Sequence, residues 1–332
     1  MPGRWKDTDF LSISSRVRVL ESRLLTRDGA ERMLAAPTGE GAARVLTELG
    51  YPELSRLTPP ALEAMLARAR AETFRDLEEG APERGLVTVF RIRYDYHNAK
   101  ALVKAQAVEA EAGPLLAEGG RYPPSQLREW YEREALEKTT LLFREAVVRA
   151  RDLLAARGDP QRADVLLDRA CCGEMLQAAQ DTGSGFLTGY VRLLVDGANL
   201  RTAVRAFRRG KGRDFLSDVL LEGGNVPADR ICQAEEGEVF SLFGGGLTQA
   251  AALGARLAAP GSGPLTGFEQ ACDRALADYL AGAVRVPFGE QPVVGYLGAK
   301  EREWTAIRVI LTGRMNGLEP HLIRERLGEA YG

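Results

Sequence analysis

Asp95, His97 and Asn98 fall together in the stretch RYDYHNAKALVKA, Arg93 to Ala105. An acid beside an imidazole that titrates near neutrality is raw material for general acid–base catalysis, with Asp95 as base and His97 as its partner. On that reading the chain is a soluble helical enzyme. The same acid and amide can instead satisfy helix-terminal N–H groups, or bond a neighbouring helix across a buried contact. A second cluster, RTAVRAFRRGKGRDF, carries Arg201, Arg205, Arg208, Arg209, Lys211 and Arg213 with almost no compensating acid. Such a run serves as a solvated helix end whose cations complement the dipole, as a contact for an acidic protein, or as a surface for nucleic acid.

Other chemistry finds less support. The cysteines Cys171, Cys172, Cys232 and Cys272 form no C-x-x-C pair, and His97 and His321 are the only histidines. We expect reduced thiols, no disulfide, no metal and no cofactor. GSGFLTG and FGGGL are not G-x-x-x-x-G-K-[ST] loops, and no G-x-S-x-G or H-E-x-x-H string occurs. Formal net charge is −2, with 27% charged and 45% hydrophobic residues, which gives no global bias toward nucleic acid or an anionic membrane. No apolar run reaches the roughly 18 residues of a membrane span, and MPGRWKDTDF lacks the apolar core of a signal peptide. The expected place is the cytoplasm.

The elements that must position these residues read as helices. SSRVRVLESRLL keeps helical apolar spacing, and PPALEAMLARARAETFRDLEEG starts after Thr58 and stops at Gly80. PSQLREWYEREALEKTTLLFREAVVRARDLLAARGDP reads as one long amphipathic run, followed by QRADVLLDRACCGEMLQAAQ and, later, EQACDRALADYLAGA. LVTVF is the best strand candidate, and the Asp95 cluster falls at the mouth of the helix after it. The fold class is all-α, without the strand–helix alternation of a Rossmann sheet.

The Asp95 cluster recurs. Asp95-Tyr96-His97-Asn98-Ala99-Lys100 is echoed by Asp196-Gly197-Ala198-Asn199-Leu200-Arg201 and by Glu303-Trp304-Thr305-Ala306-Ile307-Arg308. Each copy carries the same apolar face: Ala99, Leu102 and Val103, then Leu200, Ala203 and Val204, then Ile307, Ile310 and Leu311. The acid persists in all three copies as Asp95, Asp196 and Glu303, the amide in two as Asn98 and Asn199, and the cation as Lys100, Arg201 and Arg308. His97 is replaced by Ala198 and Thr305, which favours packing over catalysis. Three homologous helical units are expected, 1–116, 117–226 and 227–332. Lys100, Arg201 and Arg308, with Arg205, Arg208 and Arg209, are candidates for partner contact.

FRIRYDYHNAKALVKA closely resembles the hallmark segment of the C-subunit of A/V-type rotary ATP synthases, the family that includes the d-subunit of the vacuolar ATPase. VRVLESRLL, LLVDGANLRTAVRAFRRGKGRDFLSDVLLEGGNVP and PVVGYLGAKEREWTAIRVILTGRMNGLEPHLIRERL resemble that family's segments in order. Ala306 stands where the family usually has Asn, Ala99 where it has a larger apolar residue, and Gly197-Ala198 where bulkier residues are expected. The resemblance implies three all-α units about a pseudo-threefold axis, funnel-shaped. It implies a non-catalytic central-stalk subunit without a cofactor, a socket coupling the soluble shaft to the membrane rotor ring. The implied partners are the coiled-coil shaft subunit, its small associated subunit and the ring subunits, with no nucleic acid. The implied location is peripheral, on the cytoplasmic face of the membrane.

Overall fold

The computed structural model describes residues 5–328, and among them there are α-helices and short 3-10 turns but no strand. In chain order the helices are α1 (Leu11–Glu21), α2 (Arg27–Ala35), α3 (Gly39–Val45), α4 (Pro59–Gly80), α5 (Gly85–Ala107), α6 (Pro124–Glu132), α7 (Leu141–Arg157) and α8 (Pro160–Asp181). There follow α9 (Gly185–Arg208), α10 (Arg213–Val219), α11 (Ala228–Gln233), α12 (Glu236–Val239), α13 (Thr248–Leu257), α14 (Thr266–Ala281), α15 (Glu290–Met315) and α16 (Pro320–Leu327). They form two compact units. One runs from Glu83 to Leu276; the other joins Trp5–Pro82 to the chain from Ala277 onward.

Local chemistry explains many of the boundaries. Thr58 accepts a hydrogen bond from the Ala61 amide, prolines fill the first turn of α4, and the helix ends at Gly80 as its sequence indicates. Asp159 and Ser184 cap α8 and α9 in the same way. The 124–160 stretch is not the single run its amphipathicity indicates. Glu134 takes a positive φ, and Thr140 caps a new helix through the Phe143 amide, so α6 and α7 are separate. LVTVF is not a strand: Leu86, Val87, Val89 and Phe90 are buried side chains within α5. Their β-branched preference is overridden because burial on several sides, worth about 1.5–3 kcal/mol per large side chain, outweighs a few tenths of propensity. The extension also moves the Asp95 cluster from a helix mouth to a helix interior.

In the first unit α8 packs against both α5 and α9, with Tyr96 edge-on to Phe143 and Phe90 stacked on Tyr190. In the second, α15 packs against α1 and α4, and Trp304 sits edge-on to Phe74. Helices α5, α9 and α15 are the longest among the described residues, and each carries one copy of the recurring motif.

Candidate functional site

All nine residues of the repeated apolar face are buried, so the acid and amide that share those helices are drawn into the interior as well. Asp95, Asn98, Asp196, Asn199 and Glu303 are all buried. A buried carboxylate must find donors close by. Asp95 accepts from Arg121 Nε at 2.6 Å and from the Tyr122 amide at 3.3 Å. Asp196 accepts from the Val226 amide at 3.0 Å and from both the amide and the side chain of Asn225. Glu303 accepts from the Leu25 amide at 2.7 Å and from the Tyr51 hydroxyl and the Lys300 ammonium.

The donor amides share one position. Tyr122, Val226 and Leu25 each lie two residues before a short helix begins, at Pro124, Ala228 and Arg27 respectively. The buried acid of a long helix thus pins the entry of a short one at three places in the chain. The amides follow suit. Asn98 Nδ2 donates to the Ala117 carbonyl at 2.9 Å while its Oδ1 accepts from the Ala117 N–H at 2.7 Å. Asn199 makes the same reciprocal pair with Leu221, at 2.8 Å both ways. Ala306, buried in the third copy, has no amide with which to do so.

Close approach makes glycine obligatory in two of these loops. A Cβ on Gly120 would overlap Asp95 Oδ1, and one on Gly224 would overlap Asp196 Oδ1. Both glycines belong to a common string, Leu116-Ala117-Glu118-Gly119-Gly120-Arg121-Tyr122-Pro123 and Leu220-Leu221-Glu222-Gly223-Gly224-Asn225-Val226-Pro227. The pattern L-x-E-G-G-x-x-P was legible, but nothing in the sequence ties it to Asp95 or Asp196.

Around Asp95 the network continues. Arg121 also bonds Glu174 at 2.6 Å, and Glu174 accepts from the Tyr96 and Thr140 hydroxyls. Burial pushes the Asp95 carboxyl up to about 6, against the pull of the Arg121 guanidinium. In the third copy, burial first and Glu303 second push the Tyr51 hydroxyl well above its usual range. Sequence reasoning missed Arg121, Glu174, Tyr51 and Lys300, because each reaches its partner from far along the chain or from another turn.

These bonds leave no acid–base pair at the first cluster. Asp95 and His97 are not bonded to each other; His97 is exposed, with Nε2 3.2 Å from the Leu115 carbonyl. The thiols of Cys171, Cys172, Cys232 and Cys272 are free, and burial pushes the Cys172 and Cys272 thiols up to about 12.

The cations of the motif take acids on neighbouring helices. Lys100 bonds Asp168 on α8 at 2.6 Å, Arg201 bonds Glu269 and Asp273 on α14, and Arg308 forms a two-pronged pair with Glu63 on α4. Arg205 shares Glu269, while Arg208 donates to the carbonyls of Leu257 and Gly263. The basic stretch therefore does have compensating acids, but they lie some sixty to seventy residues along the chain. Arg209, Lys211 and Arg213 form no ion pair among the described residues. Lys100, Arg201, Arg205 and Arg209 line one cavity of about 550 Å³; Arg208 and Arg308 do not.

The fold is thus all-α, with Asp95, Asp196 and Glu303 each accepting from a backbone amide, and with a cavity lined by several cations in the first unit. The family model described as "ATP synthase (C/AC39) subunit" matches residues 13–326, and the chain belongs to that family. It is 23% identical over 325 residues to the C-subunit of the V-type sodium ATPase of Enterococcus hirae, covering 97% of this chain and 99% of that one. It is 24% identical over 337 residues to the C-subunit of the A-type ATP synthase of Desulfurococcus sp., covering 98% and 92%. With the C-subunit of the V-type ATP synthase of Thermus thermophilus it shares 27% over 314 residues, covering 92% and 94%. No helix among the described residues is long and apolar enough to cross a membrane.

Proposed function

We propose that this chain is the non-catalytic central-stalk subunit of a rotary A/V-type ATPase or ATP synthase. It acts as a socket that passes torque between the soluble shaft and the membrane rotor ring, peripheral to the membrane on its cytoplasmic face. The family match across residues 13–326 carries this reading. The commitment of Asp95, Asp196 and Glu303 to backbone amides supports a mechanical role over a catalytic one. A joint that transmits torque must not yield, and buried side-chain-to-backbone bonds stiffen helix junctions that packing alone leaves free to slide.

The chain consists of three homologous units, 1–116, 117–226 and 227–332, each centred on one long helix. Supporting this is the recurrence of one bonding pattern at Asp95, Asp196 and Glu303 and of one cation–acid pair at Lys100, Arg201 and Arg308. The pairs Lys100–Asp168 and Arg201–Glu269 even share one sequence separation, 68 residues.

The test is a tagged pull-down from gently solubilised native membranes, with the accompanying chains identified by mass spectrometry. Recovery of a coiled-coil shaft subunit, its small companion and ring subunits is the expected outcome. Recovery of the chain alone, or with nucleic acid, would overturn the reading.

A further inference from the structure

The three motif helices do not all find their partners in the same direction along the chain. Asp95 on α5 takes the Tyr122 amide 27 residues later, and Asp196 on α9 takes the Val226 amide 30 residues later. Lys100 and Arg201 each take an acid 68 residues later. Glu303 on α15 turns back: its donor, the Leu25 amide, lies 278 residues earlier, and Glu63, the partner of Arg308, lies 245 residues earlier. Packing follows the bonds. Helix α5 packs against α7 and α8, and α9 against α10 and α13 as well as α8, whereas α15 packs against α1, α2, α3 and α4.

At the first two junctions the backbone runs on through the joint, so the chain keeps both sides together when the side chains let go. At the third no such short tether exists. The segment from Trp5 to Pro82 shares the second compact unit with the chain from Ala277 onward, and the first unit's chain begins at Glu83. Within that unit the two segments are tied by the buried Glu303 with Leu25 and Tyr51, by Phe74 against Trp304, and by the ion pairs Arg308–Glu63 and Arg324–Glu31. Both ion pairs are partly exposed and hold weakly, which leaves Glu303 as the strongest polar tie. We propose that residues 5–82 form a clasp on α15 that opens and closes as one body while α5, α8 and α9 stay folded, with Glu303 as its latch. Opening uncovers Trp304 and the α15 face around it without unfolding the first unit, a sub-global event of low cost compared with full unfolding.

Amide exchange of the purified full-length chain, followed by mass spectrometry, tests the clasp. The amides of α2, α3 and α4 are expected to exchange together, at least about tenfold faster than those of α8. Exchange no faster than that of α8, or helix by helix at unrelated rates, would overturn the proposal. A protease site placed between Pro82 and Glu83 tests the latch. After cutting, the wild-type chain should still elute as one species at physiological salt. Tyr51→Phe, which takes a hydroxyl from Glu303, should release the clasp at least about threefold sooner, and Glu303→Ala at least about tenfold sooner. Should Glu303→Ala fail to fold, Tyr51→Phe still decides. Immediate release of the cut wild-type clasp, or equal release in wild type and variants, would mean that Glu303 is no latch, and the proposal falls.

Discussion

Asp95, Asp196 and Glu303 show how a buried acid can serve as a joint. Each holds a loop amide that would otherwise lie unpaired beside a helix, and leaving such a group unmet costs about 1–3 kcal/mol. The glycines opposite are fixed by contact. Gly120→Ala or Gly224→Ala should lower stability by about 1–3 kcal/mol each, read as a drop in denaturation midpoint, because the added methyl displaces a carboxylate oxygen. An unchanged midpoint would mean that the loops are not pinned. Asp95 adds a pH dependence. Its carboxyl titrates near 6 when folded and near 3.8 when unfolded, so the folded chain holds the extra proton between those values. The stability supplied by this group is therefore greatest at the acid end and is lost as pH rises from about 4 to about 6, by on the order of 2–3 kcal/mol. Asp95→Asn, in which Arg121 keeps Glu174, should lack that slope. The gap between variant and wild type should then shift in the variant's favour as pH rises through the window.

At the scale of elements, the recurring bond joins the interior of a long helix to the entry of a short one. In the second unit the partners of α15 and α16 come from the opposite end of the chain: on α15 Glu303 holds the Leu25 amide and Arg308 holds Glu63, and on α16 Arg324 holds Glu31. Glu303→Ala strands the buried Lys300 ammonium without its carboxylate, which should cost about 3–5 kcal/mol. Amide exchange at Leu25 should speed up in this variant, while that at Tyr122 and Val226 keeps its wild-type rate. Equal acceleration at all three would mean that the junctions do not act independently. Arg208 shows the converse use of a cation, spent on the carbonyls that follow α13 and not on any acid.

For the whole molecule, one feature bears on the mechanical role proposed above. Every motif cation is braced against an acid on a neighbouring helix, so the long helices are tied laterally as well as at the loop junctions. Each such pair is partly exposed and contributes modestly, about 0.2–1 kcal/mol, so they direct helix register more than they supply stability.

Most of the helices, the three-copy motif and the family resemblance were legible from residue order alone. Helical periodicity, Thr58 and Gly80 as start and stop, and the spacing of Ala99, Leu102 and Val103 are local signals that survive folding unchanged. It also showed that His97 is dispensable to the motif, since the other copies hold Ala198 and Thr305 in its place. What the recurring acids and cations bond emerges only once the chain is folded. Donors such as Arg121, Leu25 and Tyr51, and acids such as Glu269 and Glu63, lie tens to hundreds of residues from the groups they bond, and no local pattern encodes that pairing. The same reason explains LVTVF, where burial of the surrounding helix overrode the strand preference of its residues, and the break between α6 and α7, where a cap at Thr140 interrupts an apolar period that runs on regardless.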